Sequence, residues 1–352
     1  MNSYIGLDGH SKSCTFVVLD EKGSVKRQAV VETNAQALIE FIKQIPGRRY
    51  LCVEEGAQSQ WLYELLSPFV HDMAIVHGRK RQGNKDDGRD AHDLAHRFRI
   101  GDLGPRIFKT PASLTTLKAH VRSYETLTRD LVRVKNRIKH LHRSHGIGYM
   151  KEGCRFCKEP GGNGSGCTKP GFHQSLMLWR EQQEKLESLK SEAQKAMLAE
   201  ASRDPIIRVL KTTPGFGPVR SAELLAIVVT PYRFRTSRQF WCYCGLAIVQ
   251  RSSADWVMQP NGQWRRAPVY HTRGLNQNYN RQAKAIFKGA AMTVIISKSH
   301  ESLRTDYERL LANGTKPNLA RLTIARKIAA IVLSMWKHQQ RYEPRRYQVE
   351  TQ

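Results

Sequence analysis

Four carboxylates occupy positions that suit a metal-dependent enzyme acting on phosphates. Asp8 ends a short apolar strand near the start of the chain, and Glu54 ends a later one. Asp87 and Asp90 are spaced three residues apart, which places both on one face of a helix. Two divalent cations about 4 Å apart need several carboxylates from separate elements, because hard cations prefer oxygen ligands and neutralising charge. The set predicts a site for Mg²⁺ or Mn²⁺.

Each acid also has a simpler interpretation. Alone, Asp8 would be a turn residue at a strand end, and Asp87 a helix N-cap. Glu55 is the rival of Glu54, and strand alternation sends these two side chains to opposite faces, so only one can share a site with Asp8. Asp93 continues the helical face, where a solvated or supporting residue is the usual occupant.

A second group with metal-binding spacing lies in a glycine-rich segment. Its members are Cys154, Cys157, Cys167 and His173. A Cys3His set with this spacing is compatible with a structural Zn²⁺, and a segment so rich in glycine would not fold on apolar burial alone. Because the second half lacks a paired Cys-x2-Cys, cysteines of a metal-free loop are the alternative.

Short apolar strands alternating with helices surround the acids and predict an α/β domain over residues 1–105. Strands are predicted over residues 4–8 and 14–19, joined as a hairpin. The further elements expected are helices over 33–45, 61–66 and 86–98, and strands over 50–53 and 73–76.

The remainder of the chain is predicted to be mainly helical. Apolar residues recur at spacings of three and four from 114 to 141, and a second helix over 176–201 follows the loop 146–173. Residues 106–204 therefore form a coiled-coil arm, which either dimerises the protein or folds back as a hairpin on its own chain. A mainly α domain is expected over residues 205–352, with helices over 221–229, 234–244, 280–298, 302–312 and 319–340.

The charge of the chain points to a polyanionic partner. Its 352 residues carry a formal net charge of +26, and such self-repulsion opposes the compact state unless a polyanion neutralises it. Nucleic acid is the natural partner, and a basic surface kept for solubility is the alternative. No membrane partner is expected, because no apolar run approaches the roughly 20 residues of a membrane span and no secretory signal is evident. The cytoplasm is the expected location.

Three segments of the first hundred residues carry a family resemblance. YIGLDGHSKS, CVEEG followed by WLYELL, and KDDGRDAHDLA resemble the RuvC-like DEDD domain of insertion-sequence transposases described as bridge-RNA-guided recombinases, which are related to Piv-type DNA invertases. The resemblance implies a ribonuclease-H-like fold and a metal-binding tetrad of Asp8, Glu54, Asp87 and Asp90. Asp86 stands where that family has a hydroxyl residue, and Glu54-Glu55-Gly56-Ala57 replaces its Glu-Ala-Thr-Gly.

The resemblance continues in the second half of the chain. RFRTSRQFWCYCGLAIVQRSSADW and RGLNQNYNRQAKAIFKGAA resemble the C-terminal transposase domain of the same family, in which a Gly-Leu pair precedes a nucleophilic serine. Counting from Gly245-Leu246 places that serine at Ser253, with Ser252 as the alternative. The residues alone would make this pair a polar turn.

A glycine-containing turn at residues 210–217 resembles a helix-hairpin-helix, in which backbone N–H groups approach a DNA phosphate; an ordinary turn between helices is the alternative. The candidate nucleic-acid contacts are Lys85, Gly215, Gly217, Arg233, Arg235, Arg238, Arg265, Arg266, Arg281 and Lys284. Four aromatic residues interleave with these basic side chains, namely Trp241, Tyr243, Trp256 and Trp264. Core packing is expected for most of them, with stacking on nucleotides as the alternative.

These observations and the resemblance together imply a DNA transposase that cuts and exchanges strands through a phosphoserine, guided by a structured bridge RNA. Its expected partners are double-stranded donor and target DNA, the guide RNA, and further copies of the chain in a dimer or tetramer. The resemblance also implies that the serine domain meets the DEDD site of a partner protomer. A metal-dependent nuclease of the Holliday-junction-resolvase kind, hydrolysing with water, is the alternative, and a non-catalytic nucleic-acid-binding protein is a third hypothesis.

Overall fold

The computed structural model describes residues 1–78, 86–146, 170–250, 256–266, 272–297 and 301–344. The chain divides into two compact units, Met1–Thr115 and Thr116–Gln352. A division into three domains with boundaries near residues 105 and 204 stays a prediction.

The first unit is a five-stranded mixed sheet with helices on both faces. Its elements are β1 (Asn2–Gly9), β2 (Ser13–Leu19), β3 (Val25–Glu32), α1 (Ala35–Lys43), β4 (Arg48–Glu54), α2 (Ser59–Leu66), β5 (Asp72–Val76) and α3 (Asp87–Ile100). The strand order is β3-β2-β1-β4-β5, with β1 antiparallel to β2 and parallel to β4. The predicted hairpin is confirmed, and the sheet is compatible with the RuvC-like domain that was expected. The outer strand β3 is mostly exposed and was not predicted.

The two faces of this sheet pack against different helices. Leu7 and Val53 belong to one buried cluster with Leu38 of α1 and Leu62 of α2. Cys52 lies on the opposite face, in a cluster with residues of α3. Since side chains alternate along a strand, Asp8 and Glu54, each one residue beyond that apolar pair, share the face that α3 covers.

Helix α3 lies directly on β1 because β1 has a glycine at the crossing. A Cβ added to Gly6 would overlap the carbonyl oxygen of Ala91 and lie 2.7 Å from the backbone nitrogen of Ala95. Ala91 and Ala95 are fully buried and small, so the backbones of the strand and the helix approach closely. This contact fixes the position of the acidic first turn of α3 relative to the end of β1.

Asp86 caps the N-terminus of α3. Its Oδ1 accepts hydrogen bonds from the backbone nitrogens of Gly88 at 2.9 Å and Arg89 at 3.2 Å. Aspartate, serine and threonine all cap helices in this way, which explains how Asp86 replaces the hydroxyl residue of the related sequences. The cap interpretation of Asp87 is therefore wrong, because the preceding residue makes the cap.

The second unit is mainly helical, as predicted. Its elements are α4 (Ala112–Ser144, whose first residues lie in the first unit), α5 (Pro170–Ala201), α6 (Ile206–Leu210), α7 (Pro218–Val228), α8 (Ser237–Tyr243), β6 (Ile248–Gln250), β7 (Trp256–Met258), β8 (Trp264–Arg266), β9 (Thr272–Leu275), α9 (Arg281–Ile296), α10 (Glu301–Ala312) and α11 (Pro317–His338). Two small antiparallel sheets, β6-β9 and β7-β8, were not predicted. No helix in the described ranges is long and apolar enough to cross a bilayer.

The two long helices pair within one chain. Val134 and Ile138 of α4 pack against Phe172 and Leu176 of α5. At the end of the arm the His145 ring lies 4.8 Å from the Phe172 ring, whereas earlier in α4 Lys135 forms an ion pair of 2.8 Å with the later residue Glu187. Later residues of α4 therefore contact earlier residues of α5. The arm is an antiparallel hairpin packed on its own chain.

The half-buried acid Glu223 on α7 gives the second unit a predictable pH dependence. Burial, and after it the charge of Glu125 on α4, raise the pKa of the Glu223 carboxyl from 4.5 to about 7, against the opposing effect of Arg220. Between these two values the folded chain binds more protons than the unfolded chain, so its stability falls as the pH rises through this window. We expect Glu223→Gln to raise the thermal midpoint at pH 8 and to change it little at pH 4.5.

Thermal denaturation of the full chain at the two pH values measures this difference. Glu184→Gln, at an exposed position of α5, is the matched control and should leave both midpoints unchanged. An equal shift at both pH values for Glu223→Gln would assign the effect to packing rather than to the charge.

Candidate metal centre

An open cleft of about 570 Å³ lies where β1 and β4 end beside α3. Three of the four predicted acids line it, namely Asp8, Glu54 and Asp90. Asp93, one helical step beyond Asp90, lines it as well. The structure therefore brings acids from three separate elements to one place.

Asp8 and Glu54 are held there by local backbone geometry. Asp8 is only 9% exposed and pairs with Thr15 in the β1-β2 ladder. The carboxyl group of Glu54 lies against Gly78, where an added Cβ would be 2.7 Å from Glu54 Cδ. A side chain at position 78 would displace this carboxylate, so glycine there leaves room for it on the cleft wall.

Asp87 joins the group through His10. His10 Nε2 lies 3.2 Å from Asp8 Oδ2 and 3.3 Å from Asp87 Oδ2. The ligand atoms of these three residues all lie within 4.8 Å of one another. His10 was missed at the level of the sequence, although its position two residues after Asp8 on an extended chain is a signal that both side chains point the same way.

Glu55 also lines the cleft, but its carboxylate is engaged by neighbouring side chains. Its Oε2 accepts hydrogen bonds from Lys109 Nζ and, at 3.0 Å, from Ser59 Oγ. Lys109 Nζ also donates to Ser59 Oγ at 2.7 Å. A side chain engaged with α2 and a buried lysine has a structural role, and this arrangement favours Glu54 over Glu55 as the ligand.

This donor set suits a hard divalent cation. Carboxylate oxygens are the ligands that Mg²⁺ and Mn²⁺ prefer, and a single imidazole is tolerated better by Mn²⁺. The compact arrangement of Asp8, His10 and Asp87 satisfies the requirement that ligands converge from different elements. The cleft therefore fits a divalent metal, whose identity the ligands alone do not fix.

The candidate nucleic-acid contacts differ in their surroundings. Arg235, Arg238, Arg265, Arg266 and Arg281 are exposed. Arg233 instead donates to the carbonyl oxygen of Val228 at 3.0 Å and lies over the Tyr243 ring, so it closes the C-terminal end of α7. Lys284 is half-buried, with its Nζ 4.1 Å from the centroid of the Tyr279 ring.

The two glycines of the helix-hairpin-helix-like turn serve different purposes. Gly215 has a φ of +74°, and an added Cβ would lie 3.0 Å from Ala290 Cα, so this glycine allows close packing on α9. Gly217 precedes the first turn of α7, and no heavy atom lies within 4 Å of an added Cβ. Its open surroundings suit a backbone approach to phosphate, whereas those of Gly215 do not.

The aromatic residues divide into two pairs. Trp241 Nε1 donates to the carbonyl oxygen of Arg326 at 3.0 Å, and the Tyr243 hydroxyl donates to that of Ile227 at 3.2 Å. Both residues are half-buried and engaged within the chain, which favours packing over stacking on nucleotides for this pair. Trp256 and Trp264 are 55% and 60% exposed, so the packing expectation is wrong for them.

Several predicted residues lie outside the described ranges. These are Lys85, Cys154, Cys157, Cys167, Ser252 and Ser253. His173 is described and lies exposed near the start of α5. Zinc binding by the cysteine segment accordingly stays a prediction.

Two family models match the chain. A model for the DEDD domain of IS110 transposases, described as a transposase, matches residues 5–145. A model described as the transposase IS116/IS110/IS902 family matches residues 207–308. No curated protein matches the chain. The two matches together cover more than half of the chain, and they support an IS110-type transposase, a DNA-acting enzyme of an insertion sequence.

Proposed function

We propose that this IS110-type transposase cuts and rejoins DNA strands by transesterification, with a divalent metal bound by Asp8, Glu54, Asp87 and Asp90 and with Ser253 as the nucleophile. The observation that carries the proposal is the cleft at the ends of β1 and β4, which Asp8, Glu54 and Asp90 line, with Asp87 3.3 Å from His10 of the same cleft. The match of a DEDD transposase model over the same residues suggests a divalent metal there.

The chain's own groups have defined tasks in this proposal. Asp8, Glu54 and Asp90 supply oxygen ligands from a strand, a second strand and a helix, and the Gly6 contact keeps the helix in register with β1. His10 bridges Asp8 and Asp87 and orients their carboxylates. When bound, Mg²⁺ or Mn²⁺ would neutralise charge on the scissile phosphate and polarise it.

The covalent step assigned to Ser253 conserves the energy of the phosphodiester bond. The Ser253 Oγ–phosphorus bond forms, the serine proton is lost, and the bond to the leaving deoxyribose oxygen breaks as that oxygen gains a proton. Attack by the hydroxyl of another strand reverses these changes and frees the serine. A serine hydroxyl needs activation and an in-line phosphate, which the acid cleft of a partner protomer would provide.

The proposed partners follow from charge and from the family resemblance. A net charge of +26 suits a protein that holds donor and target DNA together with a structured guide RNA. The exposed arginines of the second unit, among them Arg235, Arg238 and Arg281, provide phosphate contacts. A dimer or tetramer is proposed because the serine and the acid cleft then come from different copies.

A trapped covalent adduct tests the serine mechanism. We expect the full-length protein, purified with its copurifying RNA and incubated with Mg²⁺ and a nicked DNA substrate containing its element end, to form a protein–DNA adduct that survives denaturing electrophoresis. Ser253→Ala should abolish the adduct together with strand cleavage, because no other group supplies the attacking oxygen.

Ser252→Ala is the matched control and should retain the adduct. The reverse result, with loss only in Ser252→Ala, would move the nucleophile by one residue. Cleavage that persists in Ser253→Ala but is lost in Asp8→Ala would instead establish hydrolysis by water, as in the resolvase-like alternative. If replacing Asp8 and Asp90 changes no activity, the protein is a non-catalytic binder.

A further inference from the structure

The β7-β8 hairpin of the second unit carries an unusual set of exposed side chains. Trp256, Met258 and Trp264 are 55%, 57% and 60% exposed. Exposed tryptophans are costly in water, and two of them close together indicate a surface that another molecule covers. Neither ring belongs to the metal cleft or to the core of the unit.

The register of the hairpin places both tryptophans on one face. Trp256 pairs with Arg266, and Met258 pairs with Trp264. Val257 and Arg265 form the pair between them, so their side chains project to the opposite face. Trp256 and Trp264 are therefore diagonal neighbours, a relation that separates Cα atoms by about 7–8 Å.

Two exposed indoles on one face suit nucleobases. Each ring is a flat surface on which one base can stack, and every base offers such a face. Met258 completes the apolar floor of the same face.

The hairpin also carries the charge for a polyanion. Residues 256–266 include two arginines and no acid. The Arg266 guanidinium carbon lies over the Trp256 ring, 5.8 Å from its centroid, so a positive charge lies beside this aromatic face. Arginine beside a stacking platform contacts the phosphate of the nucleotide whose base is stacked.

The turn makes the hairpin a defined platform. The backbone nitrogen of Gln259 donates to the carbonyl oxygen of Gln263 at 2.9 Å. The backbone nitrogen of Gly262 donates to the carbonyl oxygen of Gln259, also at 2.9 Å. Gly262 has a φ of +79°, which few other residues adopt. The turn thereby fixes the register of the two strands, which keeps Trp256 and Trp264 on the same face of the hairpin.

We propose that the Trp256–Trp264 face binds unpaired bases of the DNA strand that is cut. The choice of DNA rests on the proposed function, because the hairpin begins three residues after Ser253 and lies within the matched transposase region. A strand held there has its bases unstacked from the duplex next to the nucleophile. Duplex DNA offers its bases only at groove edges, so a paired base cannot stack on these rings.

Equilibrium binding of fluorescently labelled oligonucleotides to the full-length protein in EDTA tests this proposal. We expect Trp256→Ala/Trp264→Ala to weaken binding of a 20-nucleotide oligothymidine by about tenfold or more, the loss typical of base–aromatic stacking. Binding of a blunt 20-base-pair duplex should change by less than about twofold. Trp256→Phe/Trp264→Phe should restore most of the single-strand affinity, since phenylalanine also stacks.

Val257→Thr is the matched control, because it alters the opposite face of the same hairpin, and it should leave both affinities unchanged. Equal losses for single strand and duplex, or no loss at all, would overturn the proposal. A larger loss for a single-stranded RNA of the same length would assign the face to RNA instead. A changed sedimentation coefficient with unaltered DNA affinity would assign it to contact between copies of the chain.

The same assay separates this proposal from the serine mechanism. Ser253→Ala should bind the oligothymidine as the wild type does, whatever its effect on the covalent adduct. If no covalent adduct forms but the tryptophan variants still lose single-strand affinity, the serine mechanism is wrong and the stacking surface is retained.

Discussion

Asp8→Asn is expected to lower the rate of DNA strand cleavage by about a thousandfold or more, with the fold and DNA affinity retained. Asparagine has the shape of aspartate but lacks the negative charge that a divalent cation requires. Asp8 is only 9% exposed at the end of β1, and it is the one acidic residue of that strand. The measurement is single-turnover cleavage of a labelled DNA substrate, with Mn²⁺ affinity determined by calorimetry.

Asp86→Asn is the matched control for this substitution. Asparagine caps helices as well as aspartate does, and Asp86 lies outside the cleft lining, so both cleavage and Mn²⁺ affinity should stay within about twofold of the wild type. Cleavage by Asp8→Asn at the wild-type rate would remove the metal site from the mechanism. If Asp8→Asn and Asp86→Asn weaken Mn²⁺ binding equally, the loss reflects the removal of one negative charge and not a metal ligand at Asp8.

Gly6→Ala is expected to destabilise the first unit by about 3 kcal/mol or more, the upper range for overpacking a well-packed core. The added methyl group would overlap the Ala91 carbonyl oxygen, which belongs to a helix backbone and cannot rotate away as a side chain does. Helix α3 would have to shift as a whole, carrying Asp87 and Asp90 with it. Chemical denaturation followed by circular dichroism measures the loss.

Gly56→Ala provides the comparison, since no heavy atom lies within 4 Å of an added Cβ there. It should change the free energy of unfolding by less than about 1 kcal/mol. A tolerated Gly6→Ala would mean that α3 moves at little cost, and the acid cluster would then not depend on this contact. Metal affinity measured on the same variants connects the packing of the helix to the site.

The acid cleft was largely predictable because its residues follow simple periodic rules. Apolar strands that end in Asp8 and Glu54, together with the parallel pairing of β1 and β4, place these two side chains on one face. The spacing of Asp87 and Asp90 fixes their relation on α3. The role of Asp86 as the cap depends on a boundary shift of one residue, which local patterns do not resolve.

Other features depend on tertiary context that a local pattern does not carry. Strand β3 has the polar sequence of a solvated edge, so its apolar alternation is weak. Large aromatic residues are usually buried, but Trp256 is exposed on a short hairpin that the sequence did not predict. The register of that hairpin places Trp256 and Trp264 on one face. The interaction of His10 with Asp87 joins positions far apart in the sequence.

The pairing of the long helices shows a different limit. Apolar residues at spacings of three and four form an apolar stripe along α4. This pattern is the same whether the helix that covers it belongs to the same chain or to another. In the described part of the arm, part of this stripe is covered by α5 of the same chain, through the cluster of Val134 and Ile138 with Phe172 and Leu176. Sequence periodicity fixes which residues are covered and leaves open what covers them.

The two edges of the five-stranded sheet have consequences for aggregation. At β5 the backbone is covered, because the nitrogen of Ile107 donates to the carbonyl oxygen of Ile75 at 2.7 Å and Arg106 bridges to Val76. The edge at β3 carries Lys26 and Arg27, and a second copy approaching it would bring like charges together. Addition of a strand from a second copy is thereby discouraged at both edges of the sheet.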